Sequence, residues 1–534
     1  MNKKLISFLA ATAMIVTVSQ ESMALVGEAV SNGNVAIEQE MESDNVTQED
    51  EVADGQDAPE ANTTEDTRVS DINAVEVSTW TDLNAAITNA SNGDTIRING
   101  NIDKTGTDKA ITITGKTIKI VAQNDDGSGI KITRDSEQST NAEFIIESGA
   151  GLTLEGDLTI EAHDYQNDGM LTHANFIKVK KDGNLNITDC KITAHTDDGH
   201  NNGKQGNSGL ILCEGNMIIN DSSAKDSKEV KTRISGYTLE KSGGEELAAV
   251  VVKGKDATLT MNGGEVSGNY NKYTSPIDGA SIQVRDGATF TMEGGSIINN
   301  GKIMKDGKLI DNNCIYGSGV YVEGGGSTFI MNGGEISDNV GYNGAGIYIK
   351  GKNKENKAIL EISKGKINGN ELHYVGGADN YGGGIYAEFT QVRIEGNEKE
   401  KIEIKNNGVN MEEAIKGGAL YCQSSGGGIY LDNSDATIKY VTISGNKTNG
   451  NERRFGGAGI RISRSNATIE NTDIKGNQAG DNSNQFGGGI LIKPKFGGED
   501  KNIILKNVNI KENTVSPNAN FNTGDFGMGA GIYI

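Results

Sequence analysis

The sequence predicts an all-β chain: a right-handed, single-stranded parallel β-helix, or solenoid, with a short N-terminal capping helix. Two recurring phrases and the composition predict it. The first phrase is a glycine cluster running into Ile-Tyr, at Gly346-Ile347-Tyr348, Gly384-Ile385-Tyr386, Gly428-Ile429-Tyr430 and Gly531-Ile532-Tyr533, with Gly489-Ile490-Leu491 as a variant. The second is Ile-x-x-Asn, at Ile336–Asn339, Ile367–Asn370, Ile404–Asn407, Ile443–Asn446, Ile474–Asn477 and Ile510–Asn513. Counted from Gly319, the glycine anchors follow at intervals of 27, 38, 44, 31, 30 and 42 residues. Such an elastic period marks stacked coils whose loops vary while their strands do not. Hydrophobic residues reach only 35%, which a solenoid tolerates because its core is a narrow column fed by alternate residues of short strands. With 73 glycines but only 4 prolines, collagen-like and proline-rich chains are excluded.

Taken in order, residues 1–24 read as a signal peptide. Lys3 and Lys4 precede an apolar run from Leu5 to Val18, and Ser22-Met23-Ala24 is a small-x-small cleavage site. The run is too short for a transmembrane span, and no later run resembles a membrane anchor. Residues 25–74 read as a disordered acidic linker. Between Leu25 and Asp71, 14 Asp or Glu stand against the single Arg68, with no aromatic residue. Such a stretch buries too little apolar surface to offset chain entropy. The formal charge of −23 repels nucleic acid and anionic lipid head groups, so neither is an expected partner.

Residues 75–534 are assigned to the β-helix, with the best-defined repeats at 257–534. Trp80, Leu83, Ala86, Ile87 and Ala90 recur at helical spacing, and Asn92-Gly93-Asp94 ends that helix. As a lid it covers edge amides and the end of the apolar column. Leu259-Thr260-Met261-Asn262-Gly263-Gly264-Glu265-Val266-Ser267-Gly268-Asn269 recurs as Phe290–Asn300 and Phe329–Asn339. Leu or Phe, Met, and then Val or Ile point inward, and the closing asparagines, eight in all, stack as an amide ladder. Ile336, Ile347, Ile367, Ile385, Ile429, Ile443, Ile460, Ile474 and Ile490 all take inward phase. About 15 to 18 coils at about 4.8 Å each would give a rod of roughly 70–85 Å. The four cysteines, Cys190, Cys213, Cys314 and Cys422, are too sparse for a disulfide framework and read as buried thiols.

Gly-Gly-Gly-Ile-Tyr followed by Ile-x-x-Asn resembles the repeat of polymorphic outer-membrane proteins, which pairs a Gly-Gly-x-Ile tetrad with a Phe-x-x-Asn tetrad. Phe-x-Met-Asn-Gly-Gly-x-Ile-Ser-x-Asn is similar to bacterial surface proteins of the pectate-lyase-like superfamily. The match spans 257–534, while 80–256 resembles a more generic β-helix start. The resemblance implies a secreted or surface-displayed, adhesin-like, usually non-enzymatic protein. Outer-membrane anchoring rests on it alone: the second tetrad opens here with Ile or Val rather than Phe, and no β-barrel follows.

Two sets of residues are candidates for function. In Gly-Ile-Tyr-Ile the isoleucines point inward and the tyrosine outward. Tyr321, Tyr348, Tyr386 and Tyr430 are thus expected on one outer face, either stacked for stability or open to glycans or cell-surface proteins. His195-Thr196-Asp197-Asp198-Gly199-His200 leaves a strand and enters a Gly- and Asn-rich loop. It reads as a solvated loop; as a site, Asp197 and Asp198 would bind Ca²⁺ before they would serve acid–base chemistry. The leading expectation is a secreted or cell-surface, non-catalytic binding or structural module. The alternative is a polysaccharide lyase or glycoside hydrolase working near His195–His200. Gly529-Ala530-Gly531-Ile532-Tyr533-Ile534 opens a coil and stops in mid-strand. A truncated chain is therefore expected, the alternative being an open end that docks a partner or a second copy by strand addition.

Overall fold

The computed structural model describes residues 14–18 and residues 75–534 apart from 106–107, 123–128, 136–141, 163–174, 195–203, 206–208, 224–228, 240–246, 272–276, 280, 302, 306–307, 312–314, 374–378, 410–422, 450–454, 481–485, 494–499 and 516–528. It is a parallel β-helix. One wall is a sheet of 13 strands running from Ile111–Ile113 to Ile532–Tyr533. Its register is continuous: Ile347 pairs with Ile385, Ile385 with Ile429, Ile429 with Ile460 and Ile460 with Ile490. The facing wall carries two parallel ladders, one from Val75–Val77 to Lys501–Lys506 and one from Ile102–Thr105 to Asn509–Lys511. Among the described strands two pairings are antiparallel. Ile303–Lys305 folds back on Lys308–Asp311, and Met14–Val18, within the expected export segment, lies against Lys501–Lys506.

The stack is shorter than expected. Between Ile111 and Ile532 the 13-stranded wall takes 12 steps over 421 residues, about 35 per coil. At about 4.8 Å per step this wall is roughly 58 Å tall. The expectation of 15 to 18 coils divided the chain by nearly its shortest period, whereas loops lengthen most coils.

Helix Trp80–Asn89 sits at the N-terminal end as expected. Thr79 caps it by accepting a hydrogen bond from the Asp82 amide at 3.1 Å. Trp80, Leu83 and Ile87 are its buried face. The Trp80 indole N–H donates to the Lys109 carbonyl at 2.8 Å, and its ring meets Phe144 edge-on at 5.3 Å. Behind this lid a single apolar column runs through the described coils. All nine isoleucines assigned inward phase are fully buried within it. Phe290 and Phe329 stack at 4.9 Å, and Met261, Met292 and Met331 follow two residues after each inward Leu or Phe.

The asparagine ladder forms with eight members: Asn269, Asn300, Asn339, Asn370, Asn407, Asn446, Asn477 and Asn513. Each side-chain amide donates to the Oδ1 of the next at 2.9–3.1 Å. Each backbone N–H donates to that same oxygen. The second amide hydrogen reaches a carbonyl of the coil below, as from Asn370 to Ile336 and from Asn407 to Ile367, both at 2.9 Å. A buried polar column of this kind is tolerated because its donors and acceptors are matched.

Against the ladder lies a column of glycines: Gly319, Gly346, Gly384, Gly428, Gly459 and Gly489. A Cβ on Gly384 would stand 2.6 Å from the Gly428 carbonyl oxygen and 3.1 Å from the Asn407 amide. On Gly346 it would stand 2.7 Å from the Gly384 oxygen and 3.0 Å from Asn370. The two recurring phrases are therefore two sides of one contact, which only glycine leaves room for.

Replacing Asn407 by Ala leaves two buried donors of Asn370 without their acceptor and should cost about 2–5 kcal/mol. Gly384→Ala should be similarly severe. Gly476→Ala, at φ +63 with open space around it, should cost only about 1–2 kcal/mol. Urea midpoints of the three variants check this order, and a Gly384→Ala protein as stable as the parent would refute the contact.

Candidate functional site

The tyrosines of Gly-Ile-Tyr do point away from the apolar column and form a cluster of their own. Tyr321, Tyr348, Tyr386 and Tyr430 stack with centroids 5.1, 5.0 and 5.4 Å apart and rings within 12° of parallel. They are not, however, an open face. Their exposures are 2%, 7%, 8% and 5%, which corrects the expectation that they line the surface. Gly317, Gly344, Gly382 and Gly426 stand four residues before each ring at φ between +56 and +65 and lie against the tyrosine's own strand. The chain entering each strand thus doubles back across its outer side. Tyr316 packs on Tyr348 at 5.1 Å and Tyr381 on Tyr430 at 4.7 Å.

An arginine closes each end of the stack. Arg285 lies over Tyr321 at 5.2 Å and is held by Asp278 at 2.5 Å and Glu323 at 3.2 Å. Arg461 lies over Tyr430 at 5.0 Å and over Tyr381 at 5.8 Å. Desolvation pushes the phenols of Tyr321, Tyr348 and Tyr386 well above the ordinary tyrosine range. They stay neutral, and the column is a second apolar layer outside the 13-stranded wall.

Asp197 and Asp198, with His195 and His200, lie outside the described residues, as do Cys314 and Cys422. Among the described residues no group of three His, Cys, Asp or Glu could hold a metal ion, and no helix is long and apolar enough to cross a membrane. Cys190 and Cys213 are buried free thiols, each pushed up to about 12 chiefly by burial.

Sequence reading missed a buried ion cluster beneath the lid. Lys104 lies 3.0 Å from Glu143, and Arg134 reaches the same carboxylate at 3.7 Å. All three are at most 3% exposed, and the Arg134 guanidinium lies 5.5 Å over the Phe176 ring. Lys104 and Arg134 are paired neighbours on adjacent coils, each two residues beyond an inward isoleucine, Ile102 or Ile132. Strand alternation gives both cations inward phase, and that was the available signal. By register they stand in the column of Gly268, one residue ahead of the asparagine ladder of later coils.

The facing wall is different, for its outer side carries alternating charges paired across coils. Lys439 lies 3.6 Å from Glu395 and 3.5 Å from Glu470, and Lys401 lies 2.7 Å from Asp473. Such exposed pairs add little stability each.

Glu143→Gln should cost about 3–5 kcal/mol because two buried cations lose their counter-charge. Tyr348→Ala should cost a similar amount, about 3–5 kcal/mol, while Tyr348→Phe keeps the stack. Denaturant unfolding measures all three, and a Tyr348→Ala protein of parental stability would return the column to the surface. No protein-family model and no curated protein matches this chain.

Proposed function

We propose that the chain is an exported or cell-surface β-helix of adhesin-like type, a non-catalytic binding or structural module of the pectate-lyase-like kind. The observation that supports this best is the unbroken register of whole side-chain columns. Thirteen stacked strands, eight linked asparagines and four stacked tyrosines leave no hinge in that part of the chain. Such an object suits holding a surface at a fixed distance from an anchor. The leader at 1–24 and the acidic tether at 25–74 supply export and spacing in this reading. Glycans and cell-surface proteins are its proposed partners.

The competing reading places lyase or hydrolase chemistry near His195–His200, with Asp197 and Asp198 holding Ca²⁺. One assay separates the two. The protein is incubated with neutral and acidic polysaccharides, with and without Ca²⁺, and new reducing or unsaturated ends are measured alongside retention on the polymer. Retention without new ends is the expected result. New ends that vanish in an Asp197→Asn, Asp198→Asn protein would make it an enzyme. The secreted product should begin at Leu25, as N-terminal sequencing of exported material would read.

A further inference from the structure

Among the described residues thirteen other than glycine adopt positive φ, and nine of them are Asp or Asn, the types that tolerate a left-handed corner. Of the other four, Arg464 gains two contacts with Asp432 from its position, and Glu512 lies in the last coil. Phe389 at φ +48 and Tyr440 at φ +53 are the outliers, because a bulky side chain is strained there. Register shows what stacking asks for at these turns. Glu388 pairs with Lys350 and Asp432, so the neighbours of Phe389 in its column are Gly351 and Asn433. Lys439 pairs with Glu470, so Tyr440 is followed in its column by Asn471. Asn433 and Arg464 make the turn of Phe389 in the coils that follow, and Asn471 makes that of Tyr440.

The two rings lie outside the apolar core. Both residues are partly exposed, and neither joins any of the three apolar clusters formed by the described residues. Strain held by partly exposed aromatics outside the core points to function. Phe389 immediately precedes strand Thr390–Glu395, and Tyr440 immediately follows strand Asp435–Lys439. The two strands are hydrogen-bonded neighbours, with Gln391 opposite Asp435 and Arg393 opposite Thr437. The aromatics therefore stand at opposite ends of one small sheet face, about 23 Å apart for seven residues at about 3.3 Å.

Gln391, Arg393, Asp435 and Thr437 face outward between them. The charges are already matched: Arg393 with Glu395 at 2.5 Å, Lys439 with Glu395 and Glu470, and Asp435 with Lys357 and with the Asn466 amide at 2.7 Å. What remains is a polar floor with side-by-side donors and acceptors, no excess charge, and an aromatic ring at each end. A chain of hydroxyls with C–H faces fits that floor, and an ion or an apolar helix does not.

We propose that Phe389 and Tyr440 are the aromatic platforms of a binding face for a neutral linear oligosaccharide laid across strands 390–395 and 435–439. The proposal rests on the adhesive reading and locates its contact surface.

The test titrates the full chain with linear neutral hexasaccharides of glucose and of N-acetylglucosamine, with hexagalacturonate as the charged control. Phe389→Asn and Tyr440→Asn each remove a ring and relieve a strained corner. Each should raise Tm by about 1–2 °C and weaken hexasaccharide binding at least tenfold, while Phe389→Tyr keeps it. Binding unchanged in both Asn variants, a preference for hexagalacturonate, or no hexasaccharide bound by the parent overturns the proposal. So does a lower Tm in the Asn variants, which would make the rings structural. If the parent is retained on a polysaccharide that both Asn variants also bind, the face is wrong and the adhesive reading stands. If the polysaccharide is cleaved, the adhesive reading fails independently of this face.

Discussion

The contact between the asparagine ladder and the glycine column is the constraint on which the later coils depend. An amide that donates to the next amide and to the coil below must sit deep in the corner, out of reach of water. Buried there, it is tolerable only when each donor and acceptor is matched, which in turn demands that successive coils stack in strict register. Register then forces the glycines, since the backbone opposite each amide passes too close for a Cβ. The isoleucine column follows from the same stacking, because a shift by one residue would turn every inward side chain out.

The first coils solve the corner differently. One residue ahead of the ladder's column, Lys104 and Arg134 extend inward and share Glu143. An ion cluster is a specific but local device: it holds two coils together and cannot be continued by repetition. The amide ladder uses a group that is its own complement, so it can extend through as many coils as the chain supplies.

How much of this could be read from the sequence follows from which forces are local. Inward phase of Ile336 or Ile385, the helix at Trp80 and the ladder of eight asparagines are properties of short periods, and all were legible. Direction was legible for the tyrosines too, but exposure was not. Whether Tyr348 faces water depends on the path of the chain around Gly344, which period alone does not carry. The inward cations were legible in principle from the alternation around Ile102 and Ile132, and were passed over because charge is ordinarily read as surface. Phe389 and Tyr440 gave no period at all. They stand out only against the Gly and Asn of neighbouring coils, once pairing has aligned them.

The glycine–asparagine contact is made within a single coil: Gly346 meets Asn370, and Gly384 meets Asn407. Each coil therefore brings both halves of its own fastening. Duplication or loss of one whole coil in the gene would leave every remaining fastening intact, whereas a change of a few residues inside a strand would break one. Variation in descent should accordingly come in whole-coil steps and in loop length, and the height of the rod should be inherited in increments of one strand spacing.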